Sequence, residues 1–155
     1  MDYNLISSAY STGMGAIYQG GSVDDQIKEI EQPLIIFCMD KGEQNEHYIA
    51  HPGIDGVVSI WIDDSPTAVL PDTCLIAHVA AAISYLRSGY NLYIHCGAGV
   101  SRSSYLDIAV HMALMGFTYD QAASYVKSKR PVAQPNPGFE AHLRRLEPQL
   151  KGMFH

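Results

Sequence analysis

Apolar residues along the chain fall into runs that predict β-strands separated by polar loops and helices. Residues 33–39 form a continuous apolar run without alternation, which is typical of a strand buried on both faces. Residues 56–62 and 91–95 are two further strand-like runs, and residues 15–21 form a shorter one that is closed by two glycines.

The apolar spacing changes at Pro71 and predicts a helix. Apolar side chains recur every three or four residues, and Gly89 follows where a helix would stop. This stripe consists of Ile76, Val79, Ile83 and Leu86. A helix of about four to five turns fits the segment.

Four other segments have helical character. Residues 22–32 start with a serine cap and acidic residues, and residues 103–115 are apolar nearly all round, as in a buried helix. Thr118 and Gln121 form a capping box for residues 119–129. A last helix carries one apolar face, made of Phe139, Leu143, Leu146 and Leu150.

The alternation of strands and helices predicts an α/β fold. We expect a single domain over residues 1–155, with a central, mainly parallel sheet of about five strands and helices on both faces. In such sheets, ligands bind beyond the carboxyl ends of the strands. Cys96 comes directly after the predicted strand 91–95, at such an end.

Composition and charge narrow the possible partners. With 47% hydrophobic and 17% charged residues, the chain has the composition of an ordinary soluble domain. Its formal charge of −6 disfavours a broad surface for nucleic acid or anionic membrane, so any anion site must be local. No membrane-spanning run or signal peptide is recognisable. We expect a cytoplasmic protein, with the nucleus also open and a monomer as the default state.

The cysteines and histidines predict neither a disulfide framework nor a metal site. Cys38, Cys74 and Cys96 cannot all pair, and their spacing matches no zinc pattern. The seven histidines are scattered along the chain. We therefore expect no metal and no cofactor.

The loop that follows Cys96 has the composition of an anion site. Backbone N–H groups and the dipole of the next helix converge there, and the glycines let the backbone curl. Arg102 adds a planar fork that matches two phosphate oxygens. The loop consists of Cys96, Gly97, Ala98, Gly99, Val100, Ser101 and Arg102.

The same positive surroundings favour a thiolate at Cys96, which makes it a candidate nucleophile. Ser103 can donate its hydroxyl hydrogen to the sulfur and ease its departure in a second step. His95 can fix the loop by bonding backbone groups. The alternative is a buried structural thiol, which Arg102 and the glycines make improbable.

The segment "HCGAGVSRS" resembles the HCxxGxxRS signature of protein tyrosine phosphatases, and the chain is most similar to their small, atypical dual-specificity branch. "IYQGG" resembles the first strand and turn of that branch, and "SKRPVAQPNPGF" resembles its RPxxxPNxxF segment. Asp64, six residues before Leu70, matches its acid loop. The resemblance implies the phosphatase fold and a metal-free mechanism through a phosphocysteine intermediate.

That resemblance also assigns roles to individual residues. Cys96 is the nucleophile and Asp64 the general acid, although Asp63 is adjacent and "DDSP" is also an ordinary turn. Asn136 has a supporting role near the active site. Cys38 matches a second cysteine that in some relatives pairs with the catalytic one under oxidation; a core cysteine that only fills space is an equal alternative.

The predicted function is hydrolysis of phosphotyrosine, with phosphoserine and phosphothreonine left open, in phosphorylated protein partners. The alternatives are a non-protein substrate, such as a phosphoglucan, an RNA 5′ phosphate or an inositol lipid, and a phosphate-binding module without catalysis. No basic residue lies between Cys96 and Arg102, which disfavours a highly charged inositol headgroup. Lys127, Lys129 and Arg130 form either a solvated helix end or a patch that attracts a phosphoprotein.

Overall fold

A mixed sheet carries the fold in this computed structural model, which describes residues 2–8, 13–22, 26–40 and 53–155. Within these ranges the strands are β1 (Tyr3–Ser7), β2 (Ile17–Gly20), β3 (Leu34–Cys38), β4 (Ile54–Ser59) and β5 (Asn91–His95). The α-helices are α1 (Asp72–Arg87), α2 (Arg102–Met115), α3 (Tyr119–Lys129), α4 (Pro137–Arg145) and α5 (Glu147–Gly152), and a 3-10 helix spans Gln26–Glu29.

The five strands lie in the order β1-β2-β5-β3-β4. The last four of these are mutually parallel, and β1 runs antiparallel to β2 at one edge. The predicted, mainly parallel sheet of about five strands is therefore confirmed. Since β3 and β5 are parallel neighbours with Cys38 opposite His95, their carboxyl ends meet at one edge of the sheet.

The α-helices all contribute to one large apolar core on a single face of the sheet. On the opposite face, Ile27 of the 3-10 helix and Ile30, just after it, pack on Leu34, Ile36 and other strand residues. The expectation of helices on both faces thus holds only in part: in the described residues the second face carries a 3-10 helix and no α-helix.

The helix predicted for residues 22–32 was wrong in the portion that the structure describes, because only Gln26–Glu29 is helical and its type is 3-10. In a 3-10 helix, side chains three residues apart lie on the same face. This geometry places Ile27 and Ile30 together against the sheet. From its polar, glycine-bearing sequence, the loop between Asp40 and Asp55 is a candidate for the pocket rim, and its positions 41–52 lie outside the described residues.

The other predicted helices are present. Thr118 and Gln121 form the expected capping box, with Gln121 N donating to Thr118 Oγ1 at 3.2 Å and Thr118 N donating to Gln121 Oε1 at 3.0 Å. The final helix is divided into α4 and α5, because Pro148 has no N–H to donate to the preceding turn. No helix in the described part of the chain is long and apolar enough to span a bilayer.

A buried chain of polar side chains connects α2 to β1 and α3. His111 Nδ1 lies 2.9 Å from Asp107 Oδ1, and its Nε2 lies 2.8 Å from Ser7 Oγ. Ser7 Oγ in turn lies 2.9 Å from the Tyr125 hydroxyl, which donates to the Ile6 carbonyl. Burial lowers the pKa of His111, but the charge and hydrogen bonds of Asp107 outweigh burial and leave that pKa raised.

Candidate active site

The loop between β5 and α2 holds Cys96 at the carboxyl edge of the sheet. Cys96 follows β5 directly and is 2% exposed, and α2 begins at Arg102. Gly99 has φ +69°, a conformation that favours glycine, and a Cβ there would lie 2.5 Å from the backbone of Gly20. The predicted order of strand, curled loop and helix N-terminus is thus present, and it is the arrangement that binds oxyanions.

The Ser103 hydroxyl faces the Cys96 sulfur. Ser103 Oγ lies 3.4 Å from Cys96 Sγ and accepts a hydrogen bond from Gln19 Nε2 at 3.0 Å. Ser103 Oγ accepts from the Cys96 thiol, and once Cys96 is a thiolate the hydroxyl hydrogen of Ser103 can point to the sulfur instead. Gln19 was not among the predicted site residues, and its one sequence signal is a polar side chain within the strand "IYQG".

Arg102 contacts a carboxylate that the sequence analysis missed. Arg102 Nη1 lies 3.4 Å from Asp40 Oδ1 and donates to the Ile62 carbonyl at 3.2 Å. A Cβ on Gly97 would lie 3.4 Å from Arg102 Nη2 and 3.7 Å from Asp40 Oδ2, so both side chains lie close to the loop. Next to Ile62, Trp61 is 68% exposed.

Asn136 connects Asp64 to the loop. Asn136 Nδ2 donates to Asp64 Oδ1 at 2.9 Å, and the Asn136 backbone N–H donates to Ser101 Oγ at 2.9 Å. Asn136 Oδ1 also caps α4 by accepting from Phe139 N at 3.0 Å. A supporting position of Asn136 beside the acid loop is compatible with these contacts.

The segment from Asp64 to Leu70, called the acid loop here, packs directly on the first turn of α4. A Cβ on Gly138 would lie 1.9 Å from the Pro66 carbonyl oxygen, so only glycine permits this approach. The Leu70 N–H, at the far end of the loop, donates to the Tyr105 hydroxyl at 3.3 Å. Beside the loop lies an open cleft of about 490 Å³ lined by Asp64, Val100, Ser101, Gln134, Pro135, Asn136, Pro137 and Glu140.

His95 and Cys38 are both buried beside Cys96. Burial lowers the pKa of His95 to about 4, against a hydrogen bond with the Cys96 backbone that raises it, so the imidazole is neutral near pH 7. Burial raises the pKa of the Cys38 thiol. Cys38 and Cys96 are both free thiols, and their pairing under oxidation stays a prediction.

Arg130 does not belong to the exposed basic cluster predicted with Lys127 and Lys129. Its guanidinium is buried, and it donates through Nε to the Gly99 carbonyl at 2.7 Å. In the sequence, Arg130 stands at a helix end close to two lysines, whereas in the fold it contacts the loop between β5 and α2. The predicted basic patch is therefore reduced to two lysines.

Comparison with known proteins agrees with this geometry. The family model "Dual specificity phosphatase, catalytic domain" matches residues 17–149. Dual specificity protein phosphatase 22 of Mus musculus is 34% identical over 105 residues, which cover 65% of this chain and 55% of that protein. Dual specificity protein phosphatase 15 of Mus musculus is 31% identical over 104 residues, covering 64% of this chain and 43% of that protein.

A leucine-rich-repeat MAP kinase phosphatase of Dictyostelium discoideum is 39% identical over 92 residues, which cover 57% of this chain and only 10% of that protein. The chain thus spans between a tenth and about half of the length of these curated relatives. Among solved structures, a mouse protein of the dual specificity phosphatase type crystallised with zinc tungstate has a TM-score of 0.78 and 25% identity, covering 98% of this chain and 90% of that one.

Proposed function

The chain belongs to the family of dual specificity phosphatase catalytic domains, and on that premise we propose that it hydrolyses phosphotyrosine, phosphoserine and phosphothreonine in proteins through a phosphocysteine intermediate. The observation that carries the proposal is the loop from Cys96 to Arg102, with the Ser103 hydroxyl 3.4 Å from the Cys96 sulfur. Tungstate, the ligand named for the mouse structure, is a tetrahedral oxyanion like phosphate.

In the first step, the Cys96 thiolate attacks phosphorus in line, and the bond from phosphorus to the leaving oxygen breaks. Asp64 gives its proton to that oxygen, so a neutral hydroxyl departs. The backbone amides of the loop and the Arg102 guanidinium stabilise the charge on the three equatorial oxygens. To bind them, Arg102 leaves its contact with Asp40.

In the second step, the Asp64 carboxylate takes a proton from water, and the water oxygen attacks phosphorus. The bond between sulfur and phosphorus breaks, and inorganic phosphate and the Cys96 thiolate are released. The Ser103 hydroxyl, held by Gln19, donates a hydrogen bond to the departing sulfur. Asn136 Nδ2 orients the Asp64 carboxyl group for both proton transfers.

The surroundings of the loop favour a protein substrate. The cleft beside Asp64 is open and has apolar walls of valine and proline, and none of the described residues that line it is cationic. A polyphosphorylated headgroup needs several cations, whereas a peptide next to one phosphorylated residue needs an open, partly apolar surface.

The first prediction tests turnover itself. Without added metal, the chain is expected to hydrolyse p-nitrophenyl phosphate and a phosphotyrosine peptide, and Cys96→Ser is expected to abolish both activities. Asp64→Ala should slow the phosphotyrosine peptide by roughly a hundredfold, because a poor leaving group depends on the general acid. Release of inorganic phosphate, measured at saturating substrate, decides both points.

The matched controls are Cys74→Ser, at an exposed cysteine on α1, and Asp63→Ala, at the neighbouring aspartate. Both are expected to retain activity. Loss of activity in Asp63→Ala alone would transfer the role of acid to Asp63. Faster release of inorganic phosphate from an inositol phosphate, an RNA 5′ phosphate or a phosphoglucan would show that the substrate is not a protein. Absence of turnover with every substrate would indicate a phosphate-binding module without catalysis.

A further inference from the structure

The loop from Cys96 to Arg102 is called the phosphate-binding loop below. Four of its consecutive carbonyls accept hydrogen bonds from outside the loop. In an extended or curled backbone the N–H that follows a carbonyl points the opposite way, so outward carbonyls turn the amides toward the anion. The four bonds are Ser22 N to Gly97 O at 3.0 Å, Arg130 Nη2 to Ala98 O at 3.4 Å, Arg130 Nε to Gly99 O at 2.7 Å and Gln134 N to Val100 O at 2.8 Å.

Arg130 supplies the two central bonds of this set and is the one charged donor in it. Arg130 is only 3% exposed to solvent. A planar guanidinium can serve both carbonyls from one position because its donors form a rigid fork. The central carbonyls therefore depend on where this single side chain is held.

The other side of the Arg130 guanidinium contacts the edge strand of the sheet. Arg130 Nη1 donates to Asn4 Oδ1 at 2.8 Å, and Nη2 lies 3.0 Å from Asp2 Oδ1. The Asp2 carbonyl also accepts from Gly21 N at 3.0 Å, which fixes Asp2 against the end of β2. A buried guanidinium needs a carboxylate, and Asp2 provides one.

The space around these contacts leaves little freedom. A Cβ on Gly99 would lie 2.6 Å from Arg130 Nη2, and a Cβ on Gly21 would lie 2.1 Å from Asp2 Oδ2. A side chain at Gly99 would displace the Arg130 guanidinium, and one at Gly21 would displace the Asp2 carboxylate. The position of Arg130 is thus transmitted directly to the loop.

We propose that Asp2 and Asn4, acting through Arg130, are positioning residues for the phosphate-binding loop. The inference rests on the proposed function, since it concerns how the same loop holds its anion. Asp2 and Asn4 touch no substrate. They hold the guanidinium that turns the carbonyls of Ala98 and Gly99 outward, so Asn4 of β1 and the residue just before that strand set the affinity of the loop for phosphate.

The test compares three full-chain variants with the parent: Arg130→Lys, Asp2→Asn, and the double variant Asp2→Asn with Asn4→Ala. Calorimetry measures the dissociation constant of inorganic phosphate, and site-resolved mass spectrometry measures iodoacetamide alkylation of Cys96 against pH. Arg130→Lys is expected to weaken phosphate binding on the order of tenfold and to shift the alkylation profile to higher pH. The Asp2 variants should move both readouts in the same direction by less.

The matched control is Tyr3→Phe, which removes a hydrogen bond to Glu29 from the same strand without touching Arg130. It is expected to leave both readouts unchanged. Should Arg130→Lys fail to fold, Asp2→Asn keeps the side-chain shape and decides the matter. Variants that melt earlier but bind phosphate and alkylate like the parent would overturn this inference alone, because their role would then be structural. A parent that binds no phosphate would overturn the proposed function together with it.

Discussion

At the scale of single residues, the contact between Asp40 and Arg102 sets what an incoming phosphate must displace. Arg102 Nη1 lies 3.4 Å from Asp40 Oδ1, and the two side chains are 18% and 22% exposed. A phosphate dianion competes with Asp40 for the same guanidinium and is repelled by its charge. On the proposed function, Asp40 holds Arg102 in position before phosphate binds and opposes the ligand that replaces it.

Asp40→Asn is accordingly expected to strengthen the binding of inorganic phosphate to the Cys96→Ser variant by roughly threefold to tenfold at low salt, because one negative charge is removed. The gain should shrink at high salt, and calorimetry at two ionic strengths measures it. Asp120→Asn, which removes an exposed charge paired with Arg144, serves as the control of equal charge. Weaker or unchanged binding in Asp40→Asn would show that orientation of Arg102 outweighs repulsion.

At the scale of elements, the first turn of α4 positions the acid loop. Asn136 caps the helix and bonds Asp64, and Gly138 lets the Pro66 carbonyl approach within a distance that no Cβ would allow. The loop and the helix are therefore fitted to each other at two points. A change in the helix that disturbs this contact should act on the proton transfer from Asp64.

Gly138→Ala is expected to displace the acid loop and to lower kcat/KM for a phosphotyrosine peptide roughly tenfold to a hundredfold. Turnover of p-nitrophenyl phosphate should fall less, because its leaving group needs little help from an acid. Gly152→Ala, in α5 with nothing near the added Cβ, should stabilise the protein slightly and leave both rates unchanged. Equal losses on both substrates in Gly138→Ala would point to general damage and contradict the role given to this contact.

At the scale of the whole molecule, the buried chain through His111 connects the helix behind the phosphate-binding loop to the edge strand and to α3. His111 faces Asp107 on its own helix, and it faces Ser7 and, through it, the Tyr125 hydroxyl. Because the pKa of His111 is raised in the folded protein, its stabilising contribution is complete below about pH 6.5, its unfolded value, and is lost as the pH rises through the folded value.

The free energy of unfolding is therefore expected to fall as the pH rises above about 6.5 and through the folded pKa of His111, and chemical denaturation at several pH values measures it. The double variant Asp107→Asn with His111→Gln removes both charges and should show a flatter dependence over that range. His155→Gln, at the end of the chain, should retain the dependence of the parent. A double variant as pH-dependent as the parent would exclude His111 as its source.

Features formed by consecutive residues could be predicted from the sequence, whereas contacts between residues far apart in the chain could not. The loop from Cys96 to Arg102 has its strand, glycines and helix in consecutive positions, so its chemistry is visible in one short segment. Gln19 and Ser103 are 84 positions apart and Asp40 and Arg102 are 62 apart, and their contacts depend on the strand order, which apolar spacing does not specify. Strand β1 was missed because "YNLIS" is short and mixes apolar with polar residues. The hydrogen bonds of Arg130 to Asp2 and Asn4 were missed for the same reason.

Trp61 gives the molecule an optical reporter of its own. It is the only tryptophan in the chain, and its indole is largely in water one residue before Ile62, whose carbonyl accepts from Arg102. A ligand that takes over the guanidinium is expected to release the Ile62 carbonyl and to change the solvent environment of the indole. Tryptophan emission from the unlabelled protein should then report ligand binding in real time.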